Sequence, residues 1–139
     1  MEKTAPGKKF LKVVGTLGVI FGGINSIVVL IGLLTVESWN ETFPITGWMS
    51  WEIYYLVAFV IVYYGIFASI MALVYCATPK KARFLRMLGL ISVILVITMV
   101  FVDYQIAGLP AIALVPINLT LPILYIVGAS KNITAFEKK

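Results

Sequence analysis

The sequence predicts an all-α integral membrane protein, a four-helix bundle with both termini in the cytoplasm. Three observations predict it. Four apolar stretches run through a chain of 139 residues that is 61% hydrophobic and only 12% charged, against roughly a quarter charged in water-soluble domains. The stretches are continuous, not alternating, and each matches the roughly 20 residues a helix needs to cross the hydrocarbon. There, only helices and closed barrels satisfy their own backbone groups. The eleven lysines and arginines also all fall on one side of these stretches. Lys3, Lys8, Lys9 and Lys12 precede the first, Lys80, Lys81, Arg83 and Arg86 separate the second from the third, and Lys131, Lys138 and Lys139 follow the fourth. The other two connections carry Glu37, Glu41, Glu52 and Asp103. Basic residues accumulate on the cytoplasmic side, so both termini and the middle connection are expected there, most simply at the plasma membrane.

The spans are expected at residues 13–36, 53–76, 84–102 and 109–129, in a single transmembrane domain covering 1–139. The first follows lysines as a signal peptide would, but its apolar run is too long and no small-residue cleavage site ends it, so an uncleaved span is expected. The segment 37–52 holds all three tryptophans, Trp39, Trp48 and Trp51. Tryptophan prefers the headgroup layer, so this segment is expected to lie along the membrane. Ser50 and Glu52 suit the cap and acidic first turn of the second helix. Thr78 and Pro79 suit the start of the third. Lys80, Lys81 and Arg83 then have the wrong sign for a helix N-terminus, and their use is better explained by orientation and by anionic lipid headgroups at the cytoplasmic face. The short connection with Asp103, Tyr104, Gln105, Gly108 and Pro110 makes the third and fourth helices antiparallel neighbours.

The net charge of +5 does not indicate a nucleic-acid partner, because the basic residues flank spans and no aromatic-studded basic domain accompanies them. The single cysteine, Cys76, excludes an internal disulfide and fits a packing surface better than a lipidated one. With no histidine, no cysteine pair and no carboxylate deep in a span, zinc, redox and proton-relay chemistry lack their usual residues. The expectation is a noncatalytic protein without metal or cofactor.

Gly15, Gly18, Gly22, Asn25, Val29 and Gly32 recur at three- or four-residue spacing along one face of the first helix. Helices associate in lipid largely through close packing, so a small-residue stripe admits a neighbouring backbone. Gly65, Ser69, Ala72 and Cys76 form the matching face of the second helix, which makes an intramolecular seam the first expectation and a homo-oligomer interface the second. Asn25 is expected to bond across to another helix, with a solute contact as the lesser alternative. In the fourth span, Pro116 and Pro122 bracket Asn118 and Thr120 and should free the carbonyls of Ile112 and Asn118. These groups either repair the kinks or contact a solute, with Tyr63 and Tyr64 as candidate partners. Glu37, Glu41, Glu52 and Asp103 are a candidate external cation site, although excluding basic residues from that face would also leave it acidic. Asn40-Glu41-Thr42 is a glycosylation sequon on the outer side, whereas those at Asn118 and Asn132 fall within the membrane and inside.

From these features the expected function is association, as an accessory subunit of a membrane-protein partner or a small homo-oligomeric scaffold. The alternative is a transporter or channel for a small solute or cation that uses the proline-broken fourth helix.

Overall fold

The computed structural model describes residues 5–45, 50–107, 113 and 115–137. Among them every regular element is helical: α1 (Lys8–Leu34), α2 (Val36–Thr42), α3 (Trp51–Tyr75), α4 (Ala82–Ala107) and α5 (Val115–Glu137), with a 3-10 turn at Pro79–Lys81 leading into α4. Three stretches, Lys8–Leu34, Trp51–Tyr75 and Pro79–Ile106, are long and apolar enough to cross a membrane. Each is about 40 Å long at 1.5 Å per residue, which exceeds the hydrocarbon thickness of about 30 Å.

The helix ends have local causes. Gly7 caps α1 without a side-chain bond of its own, so the helix starts before the apolar stretch and includes Lys8, Lys9 and Lys12. At its other end Thr35 donates its hydroxyl to the Ile31 carbonyl at 2.9 Å. There α1 stops, and Glu37 and Glu41 occupy the separate short helix α2. Ser50 caps α3, its hydroxyl accepting from the Ile53 N–H at 3.4 Å. Thr78 is the N-cap of the 3-10 turn and Pro79 its first residue, but the threonine side chain makes no capping bond. The beginning of the expected fourth span, with Pro110 and Ile112, and also Trp48 lie outside the described residues. Pro116 sits in the first turn of α5 as described, and Pro122 lies inside that helix.

The four long helices form a ring in which α1 packs on α3, α3 on α4, α4 on α5 and α5 back on α1. Consecutive members run antiparallel. The starts of α1 and α4 and the ends of α3 and α5 therefore share one end, which carries Lys8, Lys9, Lys12, Lys80, Lys81, Arg83, Arg86 and Lys131. The other end is aromatic. Trp51 lies 5.5 Å from Trp39 between ring centroids and 6.0 Å from Tyr55, and its indole N–H donates to the Phe43 carbonyl at 2.7 Å.

The tight core belongs to the basic half, where Leu11, Val14, Ala72, Leu85, Leu88, Tyr125 and Ala129 are buried together. Glycines permit the closest approaches. A Cβ at Gly15 would lie 2.8 Å from the Ser69 carbonyl oxygen and one at Gly22 2.6 Å from Ile66, both on α3, while one at Gly32 would enter the Tyr55 ring. Gly65 departs from the expected seam, because nothing lies within 4 Å of the position its Cβ would take. It faces an interhelical space instead.

The closest backbone crossing joins Gly7 to α5: a Cβ there would overlap the Gly128 carbonyl oxygen. That neighbour is backbone and cannot rotate away. Gly7→Ala is therefore expected to cost about 1–3 kcal/mol, the usual range for overpacking. Gly23→Ala, where nothing lies within 4 Å, is the comparison and should gain up to about 1 kcal/mol of helix propensity. Thermal melting in detergent separates them, and equal melting temperatures would show that the Gly7–Gly128 approach does not constrain the fold.

Candidate functional site

A polar side chain at membrane depth needs a partner, and most hydroxyls here find one on their own helix. Ser69 donates to the Gly65 carbonyl at 2.7 Å, Ser92 to Leu88 at 3.0 Å, Thr98 to Ile94 at 3.0 Å and Thr120 to Pro116 at 2.8 Å. Such back-bonding satisfies the hydroxyl without a second helix. Two tyrosine hydroxyls instead donate to the backbone of another helix. Tyr64 on α3 donates to the Leu88 carbonyl of α4 at 2.9 Å, and Tyr125 on α5 donates to the Ala68 carbonyl of α3 at 2.9 Å.

Asn25 on α1 and Asn118 on α5 behave differently. Both line an axial space made of two adjoining cavities of about 220 and 310 Å³. All four long helices contribute to each cavity, and Ile61, Val62 and Val96 join the two asparagines in lining both. Along α1 the lining extends from Val14 to Val29, about 22 Å at the helical rise. The basic half beyond it is filled by the buried core. A mostly apolar cavity, closed toward the basic end, thus has amides from distant parts of the sequence where its two chambers meet. Pro122 also lines the first chamber. Lacking an N–H, it leaves the Asn118 carbonyl without its usual helical donor on this face of α5.

The residues expected near this site fall in different places. Asn25 is an exposed cavity residue, and among the described residues it makes no hydrogen bond to a neighbouring helix. Thr120 is not beside Asn118 in the cavity: its hydroxyl is turned back to Pro116 and the residue is exposed. Tyr63 is not a cavity partner either, since its hydroxyl accepts from Ser26 of α1 at 2.9 Å and its ring packs on Phe59 at 4.3 Å. Tyr64 does reach the cavity wall.

The four outer carboxylates do not converge, and the described residues contain no cluster of metal-ligating side chains. Glu52 accepts from the Asn40 amide at 2.5 Å, while Asp103 sits beside the Tyr54 hydroxyl. Glu37 and Glu41 remain on α2. Glu52 and Asp103 thus have different local partners.

Asn132 was legible only as a sequon on the inner side, yet it is completely buried. Its side-chain oxygen accepts the Gly7 N–H at 2.7 Å and its amide donates to the Cys76 carbonyl at 3.2 Å. One side chain thereby joins the start of α1, the end of α3 and α5. Its position could have signalled this role, because Tyr125, Gly128, Ala129 and Asn132 repeat at helical spacing as one stripe with two small residues at its middle. Around the junction, Lys131 lies 4.3 Å above the Phe10 ring and Arg83 pairs with Glu137 at 2.7 Å. Both partners of that ion pair are largely exposed, so it contributes about 1 kcal/mol at most.

Comparison with models of protein families, with curated proteins and with solved structures finds no match to this chain.

Proposed function

We propose that this protein is a noncatalytic, four-span membrane protein that binds a small solute and passes it along the axis of its helix bundle. The carrying observation is the axial cavity lined by all four long helices, with Asn25 and Asn118 where its chambers meet. Binding sites in helical membrane proteins lie between helices at membrane depth, and a proline-interrupted helix supplies backbone acceptors there. Pro122 and the Asn118 carbonyl match that pattern. The association function has less support, since the glycine stripe most suited to a partner is occupied by α3 within the same chain.

In this proposal α5, with the residues that precede it, is the fourth span. The basic end faces the cytoplasm and contacts anionic headgroups; the tryptophan-rich end lies at the outer surface of the plasma membrane. The confinement of every lysine and arginine to the two termini and the middle connection supports that orientation. A cysteine introduced at Thr42 in a Cys76→Ser background is expected to react with an impermeant reagent in intact cells. Reaction only after permeabilisation would reverse the topology.

Reconstituted protein should carry flux of a small solute when neutral molecules and ions are screened together. Asn118→Leu should reduce that flux, while Thr120→Val should leave it unchanged because Thr120 bonds to its own helix away from the cavity. Absence of flux for every solute tested would reject the passage function, and equal loss in both variants would move the pathway off the Asn118 face.

A further inference from the structure

Building on the passage function, we infer that the cavity selects neutral, hydrogen-bonding solutes of a few heavy atoms and excludes ions, with the Asn25 and Asn118 amides as its selectivity girdle. The first ground is the chemistry of the wall. Among the described residues, the lining of both chambers contains no lysine, arginine, aspartate, glutamate or histidine. An ion entering such a space would lose hydration without meeting a counter-charge, and that penalty far exceeds the cost of desolvating a neutral polar group.

The second ground is the supply of hydrogen bonds. Ser69, Ser92, Tyr64 and Tyr125 also line the first chamber, but their hydroxyl protons are committed to backbone carbonyls. Among the described residues, the two asparagine side chains make no hydrogen bond and therefore supply the main polar capacity, and the Asn118 carbonyl adds an acceptor. An amide both donates and accepts. Two of them can replace the hydration of a urea or polyol, which presents both kinds of group, better than that of a bare cation or anion, which needs only one kind in excess.

The third ground is size. At about 30 Å³ per water, chambers of 220 and 310 Å³ have room for about seven and about ten waters. Each chamber taken singly suits a molecule the size of urea or glycerol and lies at or below the lower end of the range for sites of drug-sized ligands. The apolar remainder of the wall, including Ile61, Val62 and Val96, lets such a solute pass without binding it everywhere.

The test uses full-length protein in liposomes, with urea and glycerol uptake read by stopped-flow light scattering and potassium and chloride flux read by trapped fluorescent indicators. Parent protein is expected to raise urea or glycerol permeability above protein-free vesicles and to carry neither ion. Asn25→Leu and Asn118→Leu should each lower neutral-solute permeability about fivefold, as expected for one lost hydrogen bond. Asn25→Gln and Asn118→Gln keep an amide and should retain most of it. Potassium or chloride flux through the parent would overturn the inference while leaving solute passage standing. Undiminished urea and glycerol flux in well-folded leucine variants would remove the girdle. No flux of either class would reject both the inference and the function beneath it. If a leucine variant fails to fold, the parent's discrimination between neutral solutes and ions still decides the selectivity, and the glutamine variants decide the role of the amides.

Discussion

Asn132→Leu is expected to lower the stability of the protein by about 3–5 kcal/mol, because it leaves two buried backbone groups without partners at about 1–3 kcal/mol each and adds the strain of a bulkier side chain. The parent side chain is fully buried, accepts from Gly7 and donates to Cys76. Leucine can do neither. A fall of about 10 °C or more in detergent melting temperature is the expected readout. Gly7→Ala breaks the same junction, so the double variant should lose less than the two separate losses added together. Unchanged melting of Asn132→Leu would mean that water or a rearranged N-terminus satisfies both groups, and additive losses would show that Gly7 and Asn132 act independently.

Gly18→Leu should be nearly as damaging, at about 3 kcal/mol, since α1 and α3 pack against each other through this position. Even a methyl group at Gly18 would collide with the Ser69 hydroxyl, and neighbouring contacts at Gly15 and Gly22 limit how far α1 can tilt to make room. Forced overpacking between helices otherwise held by close contact separates their backbones. Gly23→Leu is the comparison on the same helix, because its Cβ direction is open. Detergent melting together with particle mass gives the discriminating result. Lower stability at unchanged mass fits a seam within one chain, whereas normal stability with a smaller particle would place the seam between chains. Equal behaviour of the Gly18 and Gly23 variants would remove the seam altogether.

The glycine stripe shows how far local pattern reaches. Its three- and four-residue spacing puts Gly15, Gly18, Gly22 and Gly32 on one helical face whatever the surroundings, and α3 provides the surface that meets that face. Gly65 has similar spacing on α3 but opens toward the axial cavity. Sequence periodicity identifies a smooth face without revealing whether a neighbour fills it. The same distinction separates Asn118 from Thr120. Both lie in the same polar interruption of an apolar stretch, but only Asn118 lines the cavity; Thr120 bonds back to Pro116. Two residues apart on a helix, they point in different directions.

By itself the sequence determined the all-helical class, three helices long and apolar enough to cross a membrane, and the gathering of basic residues into alternate connections. These are properties of contiguous segments: a helix in lipid satisfies its own backbone, so length and hydropathy decide the element before any neighbour is chosen. Tertiary structure alone decided that Asn132 holds Gly7 to Cys76 and that Asn25 meets Asn118 across an axial cavity. Residues 7 and 132 are at opposite ends of the chain, as are the two cavity asparagines to a lesser degree. Their proximity depends on the order in which the helices close their ring and on which faces they turn inward, and neither is encoded in the hydropathy of any one helix.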